Sequence, residues 1–161
     1  MRRSDAPVPR PAVTLRPATM DDAPLVFQWR NDAAVRAVSG STDAITMTSH
    51  LKWFAARLPD THPETIVMAL EGDEPPVGTG RILLDGKTHA VISLVVAPDY
   101  RGRGVGRQII KLLTEKIELL NRTAVARVQS ENLVSLYAFM SQGFHIIAIS
   151  GSFIELHSEK Q

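Results

Sequence analysis

Seven residues, Tyr100 to Gly106, read Y-R-G-R-G-V-G between an apolar run at Val91 to Val96 and a helical pattern from Arg107 to Leu120. Glycine lets a backbone bend sharply and approach a ligand closely. The first amides of a helix lack intrahelical partners and sit at the positive end of its dipole. A turn built from Gly102, Gly104 and Gly106 that opens into a helix therefore suits an anion, most simply a phosphate, held by main-chain N–H groups. Arg101, Arg103 and Arg107 add charge and donors. A Walker loop would need Lys and then Ser or Thr where Arg107 and Gln108 stand, and a dinucleotide fingerprint needs G-x-G-x-x-G rather than G-x-G-x-G. The residues alone leave a second reading open, a tight strand-to-helix turn with solvated arginines.

The surrounding elements must position that turn. Residues 1–12, with Pro7, Pro9 and Pro11, read as a disordered tail, and 13–161 as one domain. Val13 to Arg16 is a short strand. Thr19 caps a helix whose apolar face is Leu25, Val26 and Trp29, ending near Arg30, Asn31 and Asp32. A short segment through Val35 and Arg36 leads to a polar loop over Ser39 to Asp43. Thr46 or Thr48 opens a second helix that buries Leu51, Phe54 and Leu58. Ile66 to Leu70, Pro76 to Leu84 and His89 to Val96 form an antiparallel meander with tight turns. A helix over Gly104 to Leu120 carries the chain to a strand at Ala124 to Val128, so these flanking strands are parallel. Asn132 to Gln142 is a helix stopped by Gly143, and Phe144 to Ile149 and Ser152 to Leu156 close the sheet. The expected fold class is α/β, a mixed, mostly antiparallel sheet of six to seven strands with helices on both faces.

Composition narrows the function classes. With 44% apolar and 22% charged residues and a net charge of +1, the 161-residue chain has an ordinary globular composition, and nothing points to nucleic acid or a membrane as partner. It contains no cysteine, which removes disulfides, thiolate metal sites and a cysteine nucleophile. His62, His145 and His157 lack metal-ligand spacing, so no metal is expected. No signal peptide and no bilayer-length run stand out, which makes a cytoplasmic protein the default expectation.

The element order, with R-x-x-G-x-G at Arg101 to Gly106 after the fourth strand and a helix running from Asn132 to Gly143-Phe144, resembles the GCN5-related N-acetyltransferase (GNAT) family from about Val13 to Leu156. The resemblance implies acetyl-coenzyme A as donor. It places the pyrophosphate on the amides of Gly102 to Gly106, with Val105, Asn132 and Phe139 among the cofactor contacts. It lays the pantetheine arm along the free edge of Leu94, Val95 and Val96, as a peptide adds to a sheet, with a main-chain N–H near Val95 or Val96 polarising the thioester carbonyl.

A narrower pattern, Trp29-Arg30-Asn31, Arg36, Ile45, His50 and Trp53-Phe54, is similar to the acetyltransferases that modify the 4-amino group of nucleotide-linked dideoxy sugars on the route to pseudaminic acid. That similarity places Arg30 and His50 near the acceptor, with Asn31, Arg36 and Trp53 as further candidate contacts. His50, at the start of a helix, also reads as a capping or solvated histidine. Thr79 and Arg81 on the third strand face either the acceptor or open solvent.

The fourth-strand positions where relatives place a basic Glu or His hold Ala90 and Ile92, and neither takes a proton. A water-relayed base, or capture of an already neutral sugar amine, replaces it. Where the family places an acidic Tyr, four residues before Gly143, stands Phe139. Tyr137 and Ser135 are the candidate hydroxyls for the leaving thiolate. The implied reaction is acetyl transfer to a nucleotide-linked amino sugar, with a homodimer as a candidate assembly. Acetylation of protein N-termini, as in the ribosomal protein acetyltransferases, and a non-catalytic acyl-coenzyme A sensor are the alternatives.

Overall fold

The structure is a computed structural model that describes residues 11–38 and 43–159. The expected tail falls mostly outside these residues, as does most of the polar loop at Ser39 to Asp43. Seven strands form one sheet in the order β1-β2-β3-β4-β5-β7-β6. They are β1 (Val13–Pro17), β2 (Glu64–Glu71), β3 (Gly78–Asp85), β4 (His89–Val96), β5 (Thr123–Gln129), β6 (Phe144–Ser150) and β7 (Phe153–Ser158). Every neighbouring pair is antiparallel except β4 and β5. The expected α/β architecture is what the chain adopts.

Among the described residues the α-helices are α1 (Ala23–Arg30), α2 (Ala33–Val38), α3 (Met47–Ala56), α4 (Val105–Leu119) and α5 (Leu133–Ser141), with α1 and α3 on one face of the sheet and α4 and α5 on the other. Local chemistry sets their starts. Asp22 accepts the Thr19 N–H at 2.9 Å while gripping Arg16 at 2.7 and 2.8 Å, which closes a capping box ahead of α1. Thr46 caps α3 through the Ser49 N–H, and Asn132 caps α5 through the Ser135 N–H.

The long helix α4 buries Ile109, Ile110, Leu113 and Ile117 against Ile82, Ala90 and Ile92. Gly80 allows this close approach, because a Cβ there would lie 2.9 Å from a methyl of Leu113. On the other face, Ala23, Val26, Trp29 and Phe54 pack on Ile66 and Met68. Successive residues of β2 thus feed opposite cores, which is why it reads as an unbroken apolar run.

One expected core position is wrong. Leu51 is 36% exposed, Leu58 is half-buried, and only Phe54 of that trio is fully buried. The inner stripe of α3 is instead His50 and Phe54, one helical turn apart, and Leu51 lies one step around the helix from it.

Candidate functional site

The strongest geometric feature is a divergence in the sheet. β4 and β5 pair only at His89, Ala90 and Val91, while β5 continues along β7 as far as Gln129. Beyond Val91, β4 has β3 on one side and no strand partner on the other. Ala97 donates its N–H to Val77 on the β3 side. Backbone alternation then sends the Val95 groups toward β3 and aims the N–H groups of Leu94 and Val96 into the gap.

A cleft of about 740 Å³ occupies that gap. Its floor is Leu94, Val95 and Val96, and one end is the glycine turn. Gly102 and Gly104 take φ of +73° and +79°, a conformation that favours glycine. Gly104 is the N-cap of α4 and supplies no side-chain cap, so the first amides of a 15-residue helix point toward the cleft.

The expected donor-side residues divide. Arg101, Gly102, Gly104, Val105, Gly106, Arg107, Asn132 and Ser135 all line the cleft. Arg103 does not; its guanidinium lies 5.3 Å from the Tyr100 ring, outside the wall. Phe139 is 2% exposed and packs edge-on against Phe144 at 5.0 Å, so it is a core residue rather than a cofactor contact. Tyr137 is 62% exposed and absent from the cleft wall. At about 100° per residue, Ser135 and Ala138 share the cleft-facing side of α5, and Tyr137 falls opposite Ser135. Of the two candidate hydroxyls, only Ser135 is brought to the cleft.

A second, small cavity of about 30 Å³ lies on the α1 and α3 face and shares Leu94 and Val95 with the cleft. Its wall includes Arg30, Trp53, Thr79, Arg81 and Ser93. Three guanidiniums surround the Trp53 indole, those of Arg30, Arg57 and Arg81 at 4.0, 4.5 and 5.2 Å from the ring centre. Glu64, 8% exposed, is held by Arg57 at 2.7 Å and by Arg81 at 3.0 Å. Arg30 has no carboxylate partner among the described residues. Burial first, and then the charges of Arg81 and Arg57, push its guanidinium down to about 10, against an opposing pull from Glu64. Burial also lowers the Arg81 guanidinium, with Glu64 opposing.

His50 is fully buried, not a capping or solvated residue. Its Nδ1 accepts from Arg30 at 3.1 Å, which leaves Nε2 to donate to the Ala23 carbonyl at 2.8 Å. Burial holds it below the usual histidine range, the Arg30 charge adds to this, and the Ala23 bond opposes it. Its ring stacks near Trp53 at 5.9 Å. His50 therefore orients Arg30 and lines neither cavity. Asn31 also departs from expectation, since its side chain exchanges two hydrogen bonds with the backbone of Ile45, at 2.7 and 2.8 Å. It clips the α1 terminus to the start of α3. Arg36, on α2, lines neither cavity. Thr79 faces the small cavity but commits its hydroxyl to the Val67 carbonyl at 3.0 Å.

Arg57 and Glu64 are the residues missed by sequence reasoning, and Ser93 lines the small cavity without having been named as a site residue. The register that pairs Ile66 with Arg81 brings Glu64 diagonally to Arg81, and no local signal announces that. Ser93 was legible from alternation alone, because Ala90 and Ile92 turn into the α4 core and Ser93 must face the other way. Among the described residues no Asp, Glu or His lines either cavity, and no cluster suits a metal ion.

With this geometry in hand, residues 24–144 match the model of the Acetyltransferase (GNAT) family. The chain belongs to the GNAT acetyltransferase family. It is similar to the "Uncharacterized N-acetyltransferase YfmK" of Bacillus subtilis (strain 168), 36% identical over 95 residues, which cover 58% of this chain and 62% of that protein. It is also similar to the "L-amino acid N-acyltransferase MnaT" of Escherichia coli (strain K12), 28% identical over 145 residues, 84% of this chain and 81% of that one. The fold matches that of the spermidine N-acetyltransferase from Vibrio cholerae, crystallised with CoA and spermine, at a TM-score of 0.78 and 15% identity, over 90% of this chain and 92% of the other. Family membership supplies the reaction class, acetyl-CoA-dependent N-acetylation, and the splayed strands, glycine turn and open helix terminus fit that donor. No helix among the described residues is long and apolar enough to cross a membrane.

Proposed function

We propose that this GNAT domain transfers an acetyl group from acetyl-CoA to the amine of a small molecule that also bears negative charge. The observation that carries this is the common wall of the two cavities: Leu94 and Val95 border both the wide cleft and the cationic pocket. In this reading the amides of 102–106 hold the donor's phosphates, with Arg101 and Arg107 adding charge. The free edge of β4 takes the amide-bearing arm of coenzyme A as an added strand. The Val96 N–H polarises the thioester carbonyl, which makes its carbon electrophilic.

The acceptor enters from the α1 and α3 face beside Ser93. The amine must be neutral to attack. With no Asp, Glu or His in either wall among the described residues, the field of Arg30, Arg57 and Arg81 against the single Glu64 performs that task by disfavouring an ammonium ion. Burial first, and then the charges of Arg81 and Arg57, lower the Arg30 guanidinium in the same surroundings. As the C–N bond forms and the C–S bond breaks, the Ser135 hydroxyl, or water, delivers a proton to the departing sulfur and is reprotonated by the proton that the attacking nitrogen gives up. Binding both substrates in line supplies much of the acceleration.

The nucleotide-linked amino sugar implied by the sequence pattern and an amino acid both combine an amine with negative charge, and both fall within this acceptor class. The cationic wall argues against a polycation such as the spermine bound by the Vibrio cholerae enzyme. Purified protein given acetyl-CoA with a UDP-linked 4-amino sugar, amino acids, spermidine or peptides, with free thiol followed, tests this. Thiol release with anionic amines and not with spermidine is expected. Preference for spermidine or a peptide N-terminus would overturn the reading.

A further inference from the structure

The small cavity has a charge imbalance that the described residues do not resolve. Arg57, Arg81 and Arg30 gather on one indole, and Glu64 is the only carboxylate that meets them among the described residues. Glu64 demonstrates which ligand this array takes: one carboxylate spread over two guanidiniums at 2.7 and 3.0 Å. Among the described residues, the hydrogen-bond partner of Arg30 is a neutral one, the Nδ1 of His50. Arg30 points to the same cavity as Arg81 and lies against Trp53 at 4.0 Å. A guanidinium that is half-buried and without a counter-charge is unfavourable unless a ligand completes it.

The cavity volume narrows the ligand. About 30 Å³ admits a group of roughly one or two water volumes. A carboxylate fits, and its two oxygens match the guanidinium fork. A diphosphate needs more room, so the diphosphate of a nucleotide-linked acceptor lies elsewhere.

The common wall narrows it again. Leu94 and Val95 are consecutive residues on a strand that rises about 3.3 Å per residue. An anion beside Val95 in the cavity is therefore only a few ångströms from an amine aimed at a carbonyl above Val96. We infer that Arg30 and Arg81, supported by Arg57 and the Trp53 face, form a carboxylate subsite for an acceptor whose carboxylate and amine stand on the same or adjacent carbons, as in an α- or β-amino acid. His50 is a positioning residue, since it touches Arg30 and not the cavity. The inference rests on the proposed acetyl transfer and names its acceptor class.

Thiol-release kinetics on the full chain test the subsite, comparing L-amino acids with their carboxamides. The carboxamide has the less basic amine and more of it is neutral, so chemistry without the subsite favours the amide. The expected result is the reverse, kcat/KM higher for the acid by about tenfold or more, the scale of a charge-assisted hydrogen bond. Arg30→Gln should erase that preference.

Because Arg30→Gln removes a contact of buried His50, a second measurement uses the unaltered protein. With coenzyme A saturating the cleft, Trp53 emission is titrated with N-acetylglycine, N-acetylglycinamide and inorganic pyrophosphate, with Trp53→Phe as the spectroscopic control. A change with N-acetylglycine alone supports the subsite. Equal responses to acid and amide, a response to pyrophosphate alone, or none with any probe overturns it. Thiol release from no amine, with the N-acetylglycine response intact, would count against acetyl transfer and leave the subsite standing.

Discussion

The cleft proposed for the donor and the cavity proposed for the acceptor share a wall yet are made differently. The cleft is built from backbone: a glycine turn, the open start of α4 and the unpaired edge of β4. The cavity is built from side chains recruited from five elements, with Arg30 on α1, Trp53 on α3, Ile66 on β2, and Thr79 and Arg81 on β3 beside Ser93 and Val95 of β4. A backbone site depends on topology and conformation and tolerates many side chains. A side-chain site depends on identity at every position. That contrast lets one fold keep its donor while its acceptor changes, and it predicts that substitutions separate the two.

The largest expected effect tests which side Phe139 serves. Phe139→Ala should lower unfolding free energy by about 3–5 kcal/mol in urea titration, because the ring is core against Phe144. A loss of coenzyme A affinity at unchanged stability would return it to the cleft. Glu64→Gln strikes the other region. It leaves Arg57 and Arg81 without a counter-charge, and since both are partly exposed the cost should be about 2 kcal/mol rather than that of a fully buried pair. Thermal unfolding reads the loss, and coenzyme A affinity should not move.

A smaller effect concerns pH. His50 is held below its ordinary value of 6.5, so the folded state binds its proton less readily than the unfolded state. Its contribution is complete above about pH 6.5 and is lost as pH falls through the folded-state value. Stability measured from pH 8 down to 5 should therefore fall, and His50→Gln should flatten that slope. The smallest effect belongs to Tyr137→Phe, which should change kcat by less than about twofold, because an exposed hydroxyl off the cleft wall touches no reacting group. A tenfold drop would reinstate Tyr137 as an acid.

The same contrast explains what the sequence made legible. The glycine turn at 102–106, the helix starts near Thr46 and Asn132, and the parallel crossover from β4 to β5 are set by local signals, so spacing and residue type indicated them. The small cavity is encoded by contacts across the sheet. Arg57, Glu64 and Arg81 meet only through the β2–β3 register. Asn31 finds Ile45 across a polar loop. His50, polar and at a helix start, looked like a surface residue, but Ala23, Arg30 and the rings of Phe27 and Trp53 enclose it. Asn31 and His50, two members of the pattern taken for acceptor contacts, act chiefly as internal scaffolding, and Arg30 and Trp53 remain at the cavity. Tyr137 failed because a hydroxyl near the expected place in sequence lies on the wrong side of α5.

Calorimetric titration of coenzyme A into the wild-type protein, Gly104→Val and Arg30→Gln tests the central claim most directly. Gly104 sits at φ +79° with nothing within 4 Å of an added Cβ and lines the cleft, so Gly104→Val strains the turn and puts a branched side chain at the proposed phosphate site. The account predicts binding to the wild type, binding weakened roughly tenfold or more by Gly104→Val, and wild-type affinity in Arg30→Gln. No heat with the wild type, or equal losses in the two variants, would contradict a donor site made of backbone and an acceptor site made of side chains.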